Sequence, residues 1–140
     1  MDFYAIEPEV AGELGEGTNM DTSVHPPRVT AVHYVITDWL GDDIIESFPY
    51  YLVTPRLAAD LEASGLTGFR LGAARVTLSE EAADFGITEV PDFRWLMISG
   101  RPGEDDFGTL DNGQAIISEG ALQALQARTL DNCEIGPYSE

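Results

Sequence analysis

Carboxylates are the chemically active groups that this sequence supplies in quantity. They fall into three clusters, which are Asp42, Asp43 and Glu46; Glu104, Asp105 and Asp106; and Glu7, Glu9, Glu13 and Glu16. Paired carboxylates can serve acid–base catalysis, glycoside hydrolysis or the binding of divalent cations. The stretch at 104–108 lacks the alternating oxygen ligands and the distal Glu of a calcium loop. Acids interleaved with aromatic residues are also typical of surfaces that attract and hold a basic protein.

Other catalytic chemistry finds little support in the sequence. All seven basic residues are arginine, so a lysine-dependent phosphate loop and Schiff-base chemistry are both excluded. No serine lies in a Gly-x-Ser-x-Gly elbow. His25 and His33 have no metal-ligand partner at a recognised spacing, and we expect both to be structural. Cys133 is predicted to be an inward-facing thiol. We therefore predict no catalytic residues, no metal site and no cofactor.

Net charge limits the kind of partner. The 140 residues include 25 Asp and Glu against 7 Arg, which gives a formal charge of -18, while 44% of the residues are hydrophobic and can form a core. A field this negative repels nucleic acid phosphates and anionic lipids and favours basic partners. We therefore expect neither nucleic acid nor a membrane as a partner.

The single cysteine and the apolar pattern bear on location. One Cys cannot form an internal disulfide, which is typical of a reducing compartment. No secretion signal, transit peptide or membrane-spanning stretch is expected, and we predict a cytoplasmic protein.

The pattern of residue types along the chain predicts the strands and loops that position these groups. Residues 2–6, 29–37 and 93–99 are rich in β-branched and aromatic side chains and predict strands, and 44–48 predicts a strand or a helical turn. Residues 1–27 carry six acids, no base and several Gly and Pro, which predicts a partly irregular N-terminal arm.

An internal similarity at a spacing of 64 residues is the strongest organisational pattern. Segment 51–72 aligns with 115–136, and each predicts a strand, a Thr or Ser cap, an amphipathic helix and a returning strand. The caps are Thr54, followed by Pro55 at the first helical position, and Ser118; Gly65 is expected to end the first helix. Duplication and convergent packing both explain the similarity.

The remaining elements complete a fold class. Ser79 is expected to cap a short helix, and Asp111, Asn112 and Gly113 predict a turn that leads into a strand. Roughly six strands with two or three helices that do not alternate strictly predict a single α+β domain over 1–140, with a mixed or mostly antiparallel sheet.

A partner-binding surface is the function that the residues favour. Acids speed the association with a basic partner, and aromatic anchors such as Trp39 and Phe48 hold it by desolvated contact. The predicted contact residues are Trp39, Asp42, Asp43, Glu104, Asp105, Asp106 and Phe107.

A family resemblance narrows this prediction. The segments QAIISEGALQALQARTLDNCEIGPY, YLVTPRLAADLEASGLTGFRL and DFRWLMI resemble small acidic immunity proteins encoded beside polymorphic toxins in myxobacteria and actinobacteria. The double Cys-x-x-Cys-Gly motifs of some relatives are missing here. The resemblance implies a bacterial, cytoplasmic, non-enzymatic inhibitor that binds and neutralises a cognate, basic toxin domain, for example a nuclease.

Two other classes of function stay open. One is a small enzyme that uses paired carboxylates, with or without Mg²⁺. The other is a structural or oligomerisation domain in which an exposed sheet edge pairs with a second copy of the chain.

Overall fold

The computed structural model describes residues 2–24 and 27–139, and within them the chain forms thirteen short strands, two α-helices and one 3-10 helix. The strands are β1 (Phe3–Glu7), β2 (Gly12–Leu14), β3 (Asn19–Asp21), β4 (Arg28–Ala31), β5 (His33–Ile36), β6 (Ile44–Ser47), β7 (Tyr50–Val53), β8 (Phe69–Gly72), β9 (Arg75–Leu78), β10 (Arg94–Ile98), β11 (Phe107–Thr109), β12 (Ala115–Ser118) and β13 (Glu134–Tyr138). The helices are α1 (Pro55–Ser64), α2 (Glu119–Gln126) and the 3-10 helix Glu80–Phe85. Neither described α-helix combines the length and the apolar character that crossing a membrane requires.

The α+β class is confirmed, but the strands are shorter and more numerous than expected. The predicted strand over 29–37 divides at the buried Val32 into β4 and β5, which belong to different sheets. The N-terminal arm contains β2 and β3. It is tied to the rest of the chain because the buried carboxylate of Glu9 accepts the N–H groups of Leu40, at 2.6 Å, and Asp42, at 3.3 Å.

Two four-stranded sheets have the same plan. One sheet has the order β6-β7-β10-β8, and the other has the order β11-β12-β1-β13. In each, an antiparallel strand is inserted between the two strands that flank a helix, β10 in the first case and β1 in the second. The smaller sheets are β2-β5-β9, in which β5 and β9 are parallel, and the pair β3-β4.

The sequence similarity of 51–72 and 115–136 therefore corresponds to a repeated arrangement. We call β6-β7-α1-β8 with β10 the first unit, and β11-β12-α2-β13 with β1 the second unit. Each unit runs as hairpin, helix and returning strand. The two units differ in the position of the inserted strand along the chain. Strand β10 follows the first unit, whereas β1 precedes the second unit by about a hundred residues.

Both predicted helix caps are confirmed. Thr54 accepts the N–H of Leu57, and Ser118 accepts that of Ala121, while Gly65 ends α1 with a φ of 76°. The predicted short helix after Ser79 is confirmed as the 3-10 helix, and Ser79 is at its N-cap position. The predicted side-chain cap is wrong, because the Ser79 hydroxyl pairs with that of Thr37 at 2.8 Å and makes no cap hydrogen bond.

Two cores lie on opposite faces of the first unit's sheet. Successive side chains of β7 lie on opposite faces of the sheet. Tyr51 and Val53 lie in the core shared with the helices and the second unit, and Tyr50 and Leu52 lie in the core shared with β5. The sheet is thus covered on both faces, and this explains why all four residues of β7 are buried.

Loss of either cap should destabilise the fold. We expect Thr54→Ala and Ser118→Ala each to lower the free energy of unfolding by about 1–2 kcal/mol, since both hydroxyls are buried and each satisfies a helical N–H. Urea unfolding measures this effect. The exposed Ser99→Ala is the control, with an expected change within about 0.5 kcal/mol. Equal effects at all three positions would contradict the capping roles.

Candidate partner-binding cleft

The acids at 42 and 43 hold the second unit's loop after α2. The buried carboxylate of Asp42 accepts the backbone N–H groups of Asp131, at 3.1 Å, and Asn132, at 2.8 Å, and Asp43 accepts that of Thr129 at 2.9 Å. Arg56 donates two hydrogen bonds of 2.7 Å to Asp43. Both acids are therefore buried connectors between the two units.

Asp106 plays the equivalent part for the first unit's loop after α1. Its carboxylate accepts the N–H of Thr67 at 2.9 Å and the hydroxyl of Ser118 at 2.6 Å. Asp43 likewise accepts the hydroxyl of Thr54. Each aspartate thus binds the cap of its own unit and the loop that follows the helix of the other.

Hydrogen bonds rather than burial decide how these two carboxylates titrate. Burial by itself raises the pKa of Asp43, but hydrogen bonds, chiefly from Arg56, outweigh it and hold the pKa below its usual value. Burial opposes the hydrogen bonds of Ser118 and Thr67 in the same way at Asp106, whose pKa is also lowered. Both groups are therefore ionised at neutral pH.

The seven predicted contact residues do not form one surface. Trp39 is half-buried, donates from Nε1 to the carbonyl of Asp42 at 2.9 Å and packs edge-on against Phe93. Phe107 is fully buried against Phe69. Glu104 is exposed, and Asp105 accepts the N–H of Arg101 at 2.7 Å. In this conformation Asp42, Asp43 and Phe107 have no surface to offer a partner, and contact by the others stays a prediction.

A cleft of about 600 Å³ lies elsewhere, and four glutamates line it. The carboxylate of Glu9 is already bound to backbone N–H groups, which leaves Glu7, Glu46 and Glu134. Glu7 and Glu134 are directly opposite each other on β1 and β13, an arrangement in which like charges destabilise a sheet. A hydrogen bond with the carboxyl of Glu134, together with the charge of Glu134, raises the pKa of Glu7. Glu7 therefore holds a proton more readily than an isolated glutamate does.

Glu46 on β6 completes the set. It is half-buried, and burial followed by the charge of Glu7 raises its pKa to about 7. Tyr51, which also lines the cleft, uses its hydroxyl to donate to the carbonyl of Gly113 at 2.8 Å and to accept the N–H of Ala115 at 3.1 Å. Within residues 2–24 and 27–139, none of the three glutamates forms an ion pair. This acidic cleft carries negative charge that the described chain leaves uncompensated.

Exposed apolar side chains also line the acidic cleft, and we call them its apolar rim. Val10, Leu40 and Phe48 expose 64%, 60% and 49% of their surface, large fractions for such residues. Gly113 makes room for Phe48, since a Cβ there would lie 2.5 Å from the ring, and its φ of 85° favours glycine. A cleft lined by carboxylates and by exposed apolar side chains is suited to a basic side chain whose neighbours are apolar.

The remaining candidates have structural surroundings. His33 is buried; its Nδ1 accepts the N–H of Gly17 at 3.0 Å, so Nε2 carries the proton and donates to Thr77 at 2.8 Å. His25 lies outside the described residues. Burial raises the pKa of Cys133 to about 12, which makes it a poor nucleophile. Among the described residues, no group of three or more His, Cys, Asp or Glu side chains is placed to hold a metal ion.

Sequence reasoning had identified Glu7, Glu46 and Phe48 but in separate clusters. Glu134 was missed, because only the insertion of β1 beside β13 brings it next to Glu7. A scan of protein-family models finds no match for the chain, and a search of curated proteins also finds none.

Proposed function

We propose that this protein is a non-enzymatic inhibitor of the immunity type, which binds a basic protein domain through the acidic cleft. The observation that carries the proposal is the convergence of Glu7, Glu46 and Glu134, from three distant parts of the chain, on one cleft with an exposed apolar rim.

The energetics of the cleft favour a cationic occupant. Two carboxylates opposite each other, and a third that burial penalises, cost stability in the free protein. An arginine or lysine of a partner relieves this repulsion on binding. Phe48, Leu40 and Val10 then supply the contacts that exclude water around the charge pair.

The nature of the partner rests on the sequence resemblance. Immunity proteins of this kind bind a cognate toxin domain, and a nuclease toxin has a basic cleft for phosphates, which complements a net charge of -18. A cytoplasmic location and a bacterial source belong to the same proposal.

One observation favours a second candidate. A carboxyl with a pKa near 7, such as Glu46 beside Tyr51, can donate or accept a proton at neutral pH, which suits a small carboxylate-based enzyme. The two candidates differ in stoichiometry: an inhibitor blocks its partner when the two are equimolar, whereas an enzyme acts far below equimolar amounts.

The product of the neighbouring gene is the partner to test first. We expect a one-to-one complex, full loss of that protein's activity at equimolar inhibitor, and rescue of cells that express it. Because charge steers the encounter, the association rate should fall about tenfold between 50 mM and 500 mM salt. Stopped-flow mixing measures this rate. No complex with any neighbouring product would refute the proposal.

A further inference from the structure

A second concave surface lies beside the acidic cleft and has the opposite charge. It encloses about 640 Å³ between β4, β8 and β10, within the range of small-molecule sites. Tyr51 and Gly113 line both surfaces. We call this surface the arginine groove and define it by Arg28, Arg70, Trp95 and Met97.

Both arginines of this groove lack a side-chain partner among residues 2–24 and 27–139. Ion pairs to acids of the chain occupy Arg56, Arg94, Arg101 and Arg128. By contrast, neither guanidinium of the groove forms an ion pair or donates a side-chain hydrogen bond to any part of the chain that the structure describes. Asp21 is opposite Arg28 on β3, but its Oδ1 accepts from the backbone and hydroxyl of Ser23. Arg75 on β9 also has no such partner among the described residues, but it lies outside the groove. Arg28 and Arg70 thus concentrate positive charge in one groove of a chain that has 25 acids.

Strands β8 and β10 form one wall of the groove. The register of β8 and β10 places Arg70 opposite Met97 and Gly72 opposite Trp95. A Cβ at Gly72 would lie 2.8 Å from the Met97 methyl and 3.6 Å from a carbon of the Trp95 ring. Position 72 therefore contributes no side chain over the indole, which stays half-buried at the edge of the groove.

We infer that the arginine groove binds an organic anion, in which a sulfonate, carboxylate or phosphate is carried on a flat apolar body. Guanidinium groups form paired, charge-assisted hydrogen bonds to such anions. The indole of Trp95 and the side chain of Met97 cover the apolar body. This site is independent of the proposed inhibitor function, because the acidic cleft takes cations and the arginine groove takes anions.

The test uses 8-anilinonaphthalene-1-sulfonate as the probe and the full chain carrying Trp39→Phe, which leaves Trp95 as the only tryptophan. We expect saturable one-to-one binding with quenching of Trp95 emission. Arg28→Gln and Arg70→Gln should each weaken binding about tenfold, the effect of losing one charge-assisted contact. Arg75→Gln, an exposed arginine outside the groove, is the charge-matched control and should leave affinity unchanged. Circular dichroism verifies that each variant is folded.

Three further compounds separate the contributions of charge and apolar body. N-phenyl-1-naphthylamine, the uncharged counterpart of the probe, should bind at least tenfold more weakly to the unsubstituted groove. Naphthalene-1-sulfonate should displace the probe at concentrations at which inorganic phosphate does not. The inference is overturned if no saturable binding occurs, if Arg75→Gln weakens binding as much as Arg70→Gln, or if the uncharged compound or bare phosphate equals the aromatic anion.

Discussion

Replacing Asp43 with alanine is expected to lower the free energy of unfolding by about 2–4 kcal/mol, the cost of leaving buried hydrogen-bond donors without their acceptor. The carboxylate is 1% exposed. Its removal would leave the Thr54 hydroxyl, the Thr129 N–H and the Arg56 guanidinium without their acceptor. It would also break the connection between the cap of the first unit and the loop of the second. Chemical denaturation measures the loss.

The stability that Asp43 contributes should depend on pH, and its pKa gives the direction of that dependence. The pKa of Asp43 is lower in the folded protein than its usual value of 3.8, so its contribution is present above about pH 4 and is lost as the pH falls through the folded-state pKa. The deficit of Asp43→Ala should therefore be full at pH 7 and shrink in acid. Asp111→Ala, at an exposed turn, is the control. A deficit no larger than that of Asp111→Ala would refute the connecting role.

Substituting Glu46 with glutamine should raise stability and weaken partner binding in the same molecule. The folded-state pKa of Glu46 is about 7, above its usual 4.5, so the stability that the protonated form gives is lost as the pH rises through 7. Glutamine does not ionise and avoids this loss. We expect a gain of about 1–2 kcal/mol above pH 7, after allowing for the solvent that reaches a half-buried group, and little difference below pH 4.5.

The control for this substitution is Glu81→Gln, which removes one charge from the exposed 3-10 helix. It should change stability by less than about 0.5 kcal/mol at any pH. Thermal unfolding between pH 4 and pH 8 distinguishes the two variants. If Glu46→Gln is no more stable than the wild type at pH 8, the carboxyl is not penalised in the free cleft, and the cleft then has no energetic preference for a cationic occupant.

Local chemistry explains which parts of the fold the sequence could predict. The caps at Thr54 and Ser118, the stop at Gly65 and the strand before each helix depend on neighbours within four residues, and all were confirmed. Ser79 shows the limit of this reasoning, because its hydroxyl found a partner 42 residues away in Thr37. The strands β2 and β3 escaped prediction because three residues carry too little periodicity.

The candidate site depends on long-range pairing, which a single sequence does not display. Asp42 and Asp43 look like surface acids, since charged residues are seldom buried, yet backbone N–H groups some 90 residues away satisfy them. Glu134 lies next to Glu7 only because β1 pairs with β13 in the sheet. Net charge and residue type therefore suffice to propose a basic partner, while topology determines which acids are buried and which line a cleft.

The dissociation constant of the complex with the neighbouring gene's product tests the central claim most directly. The triple variant Glu7→Gln, Glu46→Gln, Glu134→Gln should bind about a hundredfold more weakly than the wild type, because it removes the three cleft carboxylates that, unlike Glu9, are not bound to backbone N–H groups of the described chain. The variant Glu80→Gln, Glu81→Gln, Glu89→Gln loses the same charge at exposed positions and should bind within about threefold of the wild type. Equal weakening of both triple variants would contradict the account, since net charge alone would then explain binding.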